Sequence, residues 1–196
     1  MEHRVSQYVS RKLVKGHIID EIYEEYYTYG IELVLSFLVS VTLIVLFSLL
    51  IRFFISSVIF IVVFILLRRF TGGLHADTHL KCKISTVLTY LAVVALSYLV
   101  SVDLTTVVLL GIIGILMIAA EAPIENPNKP LNDHKKRNCR IAAVITFVVL
   151  SVSTYILMMF SEKSGNVAFF SIYAVLLLMV IPIIQERRIE HNEENR

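Results

Sequence analysis

Residues 33–51 read LVLSFLVSVTLIVLFSLLI, a run of 19 positions without a charged side chain. At 1.5 Å per residue, a helix of this length crosses the roughly 30 Å hydrocarbon core of a bilayer. The run does not alternate apolar with polar residues, as a membrane β-strand would. No face of the resulting helix is charged, so apolar material has to surround it. The stretch therefore predicts a membrane-spanning α-helix.

Further uncharged runs follow the first one. They are Phe53–Leu67, Ile84–Val102, Leu104–Ala120, Ile141–Ser161 and Ser164–Gln185. The shortest of them has 15 residues, and it spans a bilayer if the preceding apolar residues help while Arg52 snorkels to the headgroups. Hydrophobic residues make up 57% of the 196 residues, and so short a chain cannot bury six such helices in a soluble bundle. The sequence predicts an all-α polytopic membrane protein of about six transmembrane helices.

The lysines and arginines are distributed unevenly between the segments that flank these runs. Alternate segments hold 16 of them against 2 in the others. Because positively charged segments stay in the cytoplasm, we expect both termini and the basic loops 68–83 and 121–140 to be cytoplasmic. The chain is thus predicted to be a multi-pass membrane protein, inserted by its own spans without a cleavable signal peptide.

Three regions follow from this pattern: residues 1–30, a six-helix transmembrane domain 31–184, and a cytoplasmic tail 185–196. The first region has basic residues between apolar ones at near-helical spacing, which is typical of an amphipathic helix lying in the membrane interface. The alternative is a plain basic topology signal. The apolar residues of this pattern are Val5, Tyr8, Val9, Leu13, Ile18, Ile22 and Tyr26.

No charged residue or histidine lies in the middle of a span. Transporters and proton pumps usually need such groups near the bilayer midplane, so the pattern argues against transport. In the fourth span, Gly111 and Gly114 indicate close helix packing. The two cysteines, Cys82 and Cys139, both fall on the predicted cytoplasmic side, where a structural disulfide is not expected.

The chemistry-bearing residues cluster in loop 68–83, RRFTGGLHADTHLKCK. A catalytic cysteine needs nearby cations that favour the thiolate, and a base within hydrogen-bond reach. Cys82 is flanked by lysines and follows two arginines, and two histidines are candidate bases. On one straight helix, His75 would lie about 10 Å along the axis from Cys82, so a His75–Cys82 pair requires a bend. His79, three residues from Cys82, would need none.

Spacing alone leaves three interpretations of this loop. The first is a cysteine–histidine dyad. The second is a metal-dependent membrane hydrolase in which His75, His79 and Cys82 line one helix face as ligands. The third is a polar turn with incidental His and Cys in a non-catalytic membrane scaffold or export component.

The pattern Arg68-Arg69-x-x-Gly72-Gly73-x-His75-Ala76, with Cys82 seven residues after the histidine, resembles the AgrB family of membrane peptidases in accessory-gene-regulator quorum sensing. The fourth loop, Ala122-Pro123-Ile124-Glu125-Asn126-Pro127-Asn128-Lys129-Pro130-Leu131, also resembles that family's proline-rich segment. The length, the span pattern and the basic loops agree along essentially the whole chain.

The resemblance implies a membrane cysteine endopeptidase that cleaves a small pheromone precursor and promotes its cyclisation to a thiolactone or lactone. By position, the family's catalytic residues map to Cys82 and His75, while His79 matches no family motif. The expected partners are a peptide precursor with an acidic C-terminal segment and membrane lipid, with a homodimer as one expected assembly. Neither nucleic acid, a metal nor another cofactor is expected. The residues expected to contact the precursor are Arg68, Arg69, Gly72, Gly73, Lys129, Lys135, Lys136 and Arg137.

Overall fold

A computed structural model describes residues 2–72, 79–124 and 132–194, without the side chains of residues 2, 79–82, 182 and 185–194. The described part contains seven α-helices, a short 3-10 helix and no strand. In chain order the helices are α1 (Glu2–Lys15), the 3-10 helix (Glu21–Tyr23), α2 (Glu24–Leu50), α3 (Phe54–Thr71), α4 (His79–Leu99), α5 (Leu104–Glu121), α6 (Asp133–Phe160) and α7 (Glu162–Glu194).

Helices α2 to α7 correspond one to one with the six uncharged runs. By length and composition alone, five segments of the described chain can cross a bilayer: Glu21–Leu50, Phe54–Thr71, Leu104–Glu121, Asp133–Phe160 and Glu162–Ile181. The remaining apolar helix, Lys83–Leu99 within α4, is shorter. The prediction of an all-α polytopic membrane protein is confirmed, with five full-length spans and one shorter apolar helix among the described residues.

Large apolar side chains are exposed and several hydroxyl side chains are buried, a distribution that suits a lipid environment. Leu50, Leu116 and Phe160 are 80%, 65% and 86% exposed, which for large apolar side chains calls for an apolar solvent. Several hydroxyl side chains are buried instead, and each donates a hydrogen bond to a carbonyl three or four residues earlier in its own helix. These are Ser40, Ser48, Ser57, Thr154 and Ser171. Such self-bonded hydroxyls satisfy their polar groups without water.

The chain divides into two compact units, and the first comprises the described residues of Met1–Ile51 and Ala76–Leu88. Within it, α1 runs antiparallel to the beginning of α2. Ser10 and Thr28 share a buried hydrogen bond of 2.6 Å between their hydroxyl oxygens, and Arg11 pairs with Glu24 at 3.4 Å. Ser10 is fully buried, whereas Tyr8 on the opposite side is 61% exposed. The polar face of α1 therefore packs against α2, and its apolar residues point outward.

Helix α1 is shorter than the predicted pattern. It ends at Lys15, and His17 has a positive φ of 53°, which a helix cannot accommodate. The apolar residues from Ile18 onward therefore belong to the turn, the 3-10 helix and α2. Helix α2 itself runs without interruption from Glu24 into the first span.

The second unit comprises the described residues of Arg52–His75 and Thr89–Arg196. Here α7 packs against α3 and α6, and α5 packs against α6. A β-carbon on Gly114 would lie 2.3 Å from Phe147, so the fully buried Phe147 ring occupies the space that glycine leaves. Close packing is confirmed at Gly114. At Gly111 the described residues contradict the prediction, because none of their atoms would lie within 4 Å of a β-carbon there.

Candidate functional site

Helix α3 carries the first basic motif at its end. Arg68 and Arg69 lie in its last turn, where cations interact favourably with the negative end of the helix dipole. The Arg68 guanidinium lies 5.2 Å from the centroid of the Phe64 ring. Gly72 ends the helix with a φ of 69°, and its N–H donates to the Arg68 carbonyl at 3.1 Å. A glycine here lets the chain leave the helix in a direction that other residues rarely adopt.

Helix α5 ends on the second motif. The Ala122 N–H still donates to the Ile118 carbonyl at 3.0 Å, and the following Ala122–Pro123 peptide bond is cis. Ala122 is completely buried, so its carbonyl needs a partner inside the protein. That partner is Arg140 on α6, whose Nε donates to the Ala122 oxygen at 2.8 Å.

The two motifs meet in space. The Ile124 N–H donates to the Thr71 carbonyl at 2.9 Å, which joins the exits of α3 and α5 through their backbones. A β-carbon on Gly72 would lie 2.5 Å from the Ile124 oxygen, so only glycine admits this approach. We call this set, Thr71, Gly72, Ala122, Ile124 and Arg140, the stem junction, because both basic loops start from it.

The helices extend further into the two loops than the uncharged runs do. Arg68 and Arg69 are helical, α4 begins at His79, and α6 begins at Asp133. Lysine and arginine are good helix formers, so their presence beyond an apolar run does not stop a helix. The described backbone between α3 and α4 is therefore only Gly72, and between α5 and α6 it is residues 122–124 and 132.

The predicted dyad lies largely outside the described residues. His75 and Gly73 fall outside them altogether. Cys82 and His79 lie in the first turn of α4, where the structure describes only their backbone. Both the dyad and the metal-site alternative depend on these undescribed side chains, so both stay predictions.

The cationic residues predicted to contact the precursor lie on two elements. Lys135, Lys136 and Arg137 occupy the first turns of α6, and we call them the basic turn. Lys135 and Arg137 are exposed, and Lys136 is half-buried. Lys129 lies outside the described residues. The Cys139 thiol is free and half-buried next to this turn.

Sequence reasoning did not single out three members of the stem junction. Arg140 is one of several cations in basic loop 121–140, and its hydrogen bond to the Ala122 carbonyl is not visible in the sequence. Thr71 and Ile124 take part through backbone atoms, which carry no residue-specific signal. One feature of the junction could have been suggested by the sequence. The motif that contains Gly72 and the proline-rich motif both resemble the same family, so they could have been expected to lie close together.

A family model, Accessory gene regulator B, matches residues 4–183. The chain belongs to the AgrB family. Two AgrB-like proteins of Clostridium perfringens are similar to it. The one from strain 13 is 27% identical over 57% of this chain and 60% of its own length. The one from strain SM101 is 22% identical over 79% of each chain. No solved structure matches this AgrB family member.

Proposed function

We propose that the protein is a membrane cysteine endopeptidase that processes a small quorum-sensing pheromone precursor. The observation that supports this most is the stem junction, where a 2.9 Å backbone hydrogen bond joins the two loops whose motifs are typical of the AgrB family. A family match over residues 4–183 supports the same activity class.

In the proposed reaction, the Cys82 thiolate attacks the carbonyl carbon of the scissile peptide bond. His75 takes up the thiol proton and passes it to the leaving amine as the C–N bond breaks. The pheromone part is left as a thioester on Cys82, and the C-terminal fragment departs. The first turn of α4, where Cys82 lies, is a position at which the helix dipole favours a thiolate.

A thiol or hydroxyl of the bound acyl group then displaces Cys82 and closes a thiolactone or lactone ring. Exchange of one thioester for another is nearly isoenergetic, so this step needs no ATP. Intramolecular attack also benefits from a high effective concentration of the nucleophile. Water would compete only if the loop left the thioester accessible to it.

We propose that the basic turn attracts an acidic C-terminal segment of the precursor. Two of its three side chains, Lys135 and Arg137, are exposed and can be reached by an acidic peptide. The basic turn and the pair Arg68 and Arg69 at the end of α3 would place positive charge on both loops, where it could attract the acidic segment.

We also propose that both loops and both termini are cytoplasmic. The support is that alternate segments between the spans hold 16 lysines and arginines against 2 in the others. The proposal also includes a membrane-interface role for α1, supported by the outward position of its apolar residues. An impermeant maleimide added to intact cells should then label neither Cys82 nor Cys139. Labelling of Cys82 from outside would overturn the orientation.

The activity is tested by coexpressing the chain with each small open reading frame found near its gene and analysing the medium by mass spectrometry. Cys82→Ala and His75→Ala should each abolish processing in membranes that contain normal amounts of protein, whereas His79→Ala should retain much of it. If His79→Ala is inactive and a zinc chelator stops the wild type, the metal-dependent hydrolase replaces the cysteine peptidase. If Cys82→Ala processes normally, a non-catalytic scaffold or export role takes its place.

A further inference from the structure

Arg140 differs from the cations of the basic turn in what it contacts. Its Nε donates to the Ala122 carbonyl at 2.8 Å, and Ala122 is fully buried. That carbonyl follows the last turn of α5, where helix geometry provides no further backbone donor. A charged donor to a buried carbonyl makes one of the stronger hydrogen bonds in proteins.

The contact continues through the backbone to α3. Pro123 has no N–H, so the first amide after Ala122 is that of Ile124, which donates to the Thr71 carbonyl at 2.9 Å. Arg140 on α6, the exit of α5 and the end of α3 are thus linked in series by two hydrogen bonds. Gly72, which packs against the Ile124 backbone, lies three residues before His75 in the chain.

We infer that Arg140 is a positioning residue for the cleavage reaction, and this inference rests on the proposed function. Its guanidinium fixes the segment after α5, and that segment holds the start of the loop carrying the proposed base. Loss of the hydrogen bond releases Ala122 and loosens the Ile124–Thr71 bond, so the loop starts from a less defined point. The reacting groups then lose orientation, which lowers the rate with bound substrate more than it weakens substrate binding.

The basic turn provides the contrast. Arg137, three residues earlier on α6, is exposed and belongs to the proposed substrate-attracting charges. Its loss should weaken precursor binding and raise KM. We therefore expect different kinetic effects from the two substitutions, a lower kcat at Arg140 and a higher KM at Arg137, although each removes one positive charge from the same helix.

The test uses the full chain in nanodiscs and a synthetic precursor peptide whose sequence is identified by the coexpression experiment. Arg140→Met removes the donor at similar length, Arg140→Lys restores a cationic donor, and Arg137→Met is the matched comparison. Hydrogen exchange at the Ile124 amide reports the stem junction without any need for catalysis. Steady-state cleavage gives kcat and KM.

In Arg140→Met, the Ile124 amide should exchange about tenfold faster and kcat should fall about tenfold, with KM changed by less than about twofold. Arg140→Lys should recover part of both. Arg137→Met should raise KM and leave the Ile124 exchange rate as in the wild type. If Arg140→Met does not accumulate in membranes, Arg140→Lys decides, and intermediate values of both exchange and kcat support the inference.

Unchanged Ile124 exchange in Arg140→Met overturns the inference, and so does faster exchange with full kcat. A raised KM with normal kcat also overturns it, because Arg140 would then act as another substrate-attracting cation. Failure of the proposed function looks different, since Cys82→Ala would then cleave as well as the wild type. The exchange measurement still decides whether Arg140 holds the junction in that case.

Discussion

Replacing Gly72 by alanine perturbs the stem junction at its tightest contact. The added β-carbon would lie 2.5 Å from the Ile124 oxygen and 3.2 Å from the Ile124 nitrogen, and both are backbone atoms. No side-chain rotation can relieve such a contact. Either the end of α3 or the segment after α5 has to move, and the Ile124–Thr71 hydrogen bond breaks with it.

Two contributions set the free-energy cost of Gly72→Ala. Gly72 has φ 69° and ψ −145°, a backbone region that alanine enters at a cost of about 1–3 kcal/mol. Loss of the backbone hydrogen bond adds about 1 kcal/mol. The total of about 2–4 kcal/mol corresponds to an opening equilibrium of the junction roughly 30- to 1000-fold higher.

Hydrogen exchange at the Ile124 amide and the rate of precursor cleavage both measure this opening. We expect Gly72→Ala to lose amide protection by that factor and to cleave far more slowly, in membranes that contain normal amounts of protein. Gly111→Ala is the matched control, because in the described part of the chain a β-carbon there would meet no atom within 4 Å. Wild-type exchange and cleavage in Gly72→Ala would refute the account of the junction.

Three further outcomes follow from the described residues. Gly114→Ala should destabilise the protein by about 1–3 kcal/mol through overpacking against Phe147, measured as a lower Tm than Gly111→Ala, and equal Tm values would contradict the packing. Replacing the basic turn, Lys135, Lys136 and Arg137, by glutamines should raise KM for the precursor about tenfold and make KM less dependent on salt concentration. A KM that depends on salt as in the wild type would argue against electrostatic attraction. Asn166→Leu should cost about 1–2 kcal/mol of stability, because its side-chain amide donates to the Val100 carbonyl at 3.2 Å and to the Ser97 carbonyl of α4 at 3.5 Å, and denaturation in detergent would detect the loss.

The membrane fold could be predicted from hydropathy, because each span satisfies its backbone hydrogen bonds internally and only its length and lack of charge matter. The packing between spans could not. Gly111 and Gly114 are both glycines of α5, yet among the described residues a neighbouring ring, that of Phe147, lies against Gly114 and none lies against Gly111. Which side of α5 meets α6 depends on the tertiary arrangement, and a nearly uniform apolar run carries no record of it.

The sequence offered candidate site residues as motifs, but it did not give the geometry that surrounds them. Cys82 and His75 came from residue types, cation neighbours and the family resemblance. Arg140 could not be separated from the other cations of its loop, since its role depends on a carbonyl contributed by another helix. The junction of Thr71 with Ile124 uses backbone atoms alone, and no side-chain pattern encodes that pairing.

Neutral hydroxylamine tests the central claim, covalent catalysis by the Cys82 thiol, most directly. A precursor whose ring-forming residue is replaced by alanine should still acylate Cys82 but should not cyclise. The trapped adduct should be visible by mass spectrometry of the intact protein, and hydroxylamine should release it, because it cleaves thioesters and spares amides. Cys82→Ser should react far more slowly, since a serine hydroxyl is barely ionised. The absence of any hydroxylamine-sensitive adduct on the wild-type protein, or a Cys82→Ser protein as active as the wild type, would contradict the account.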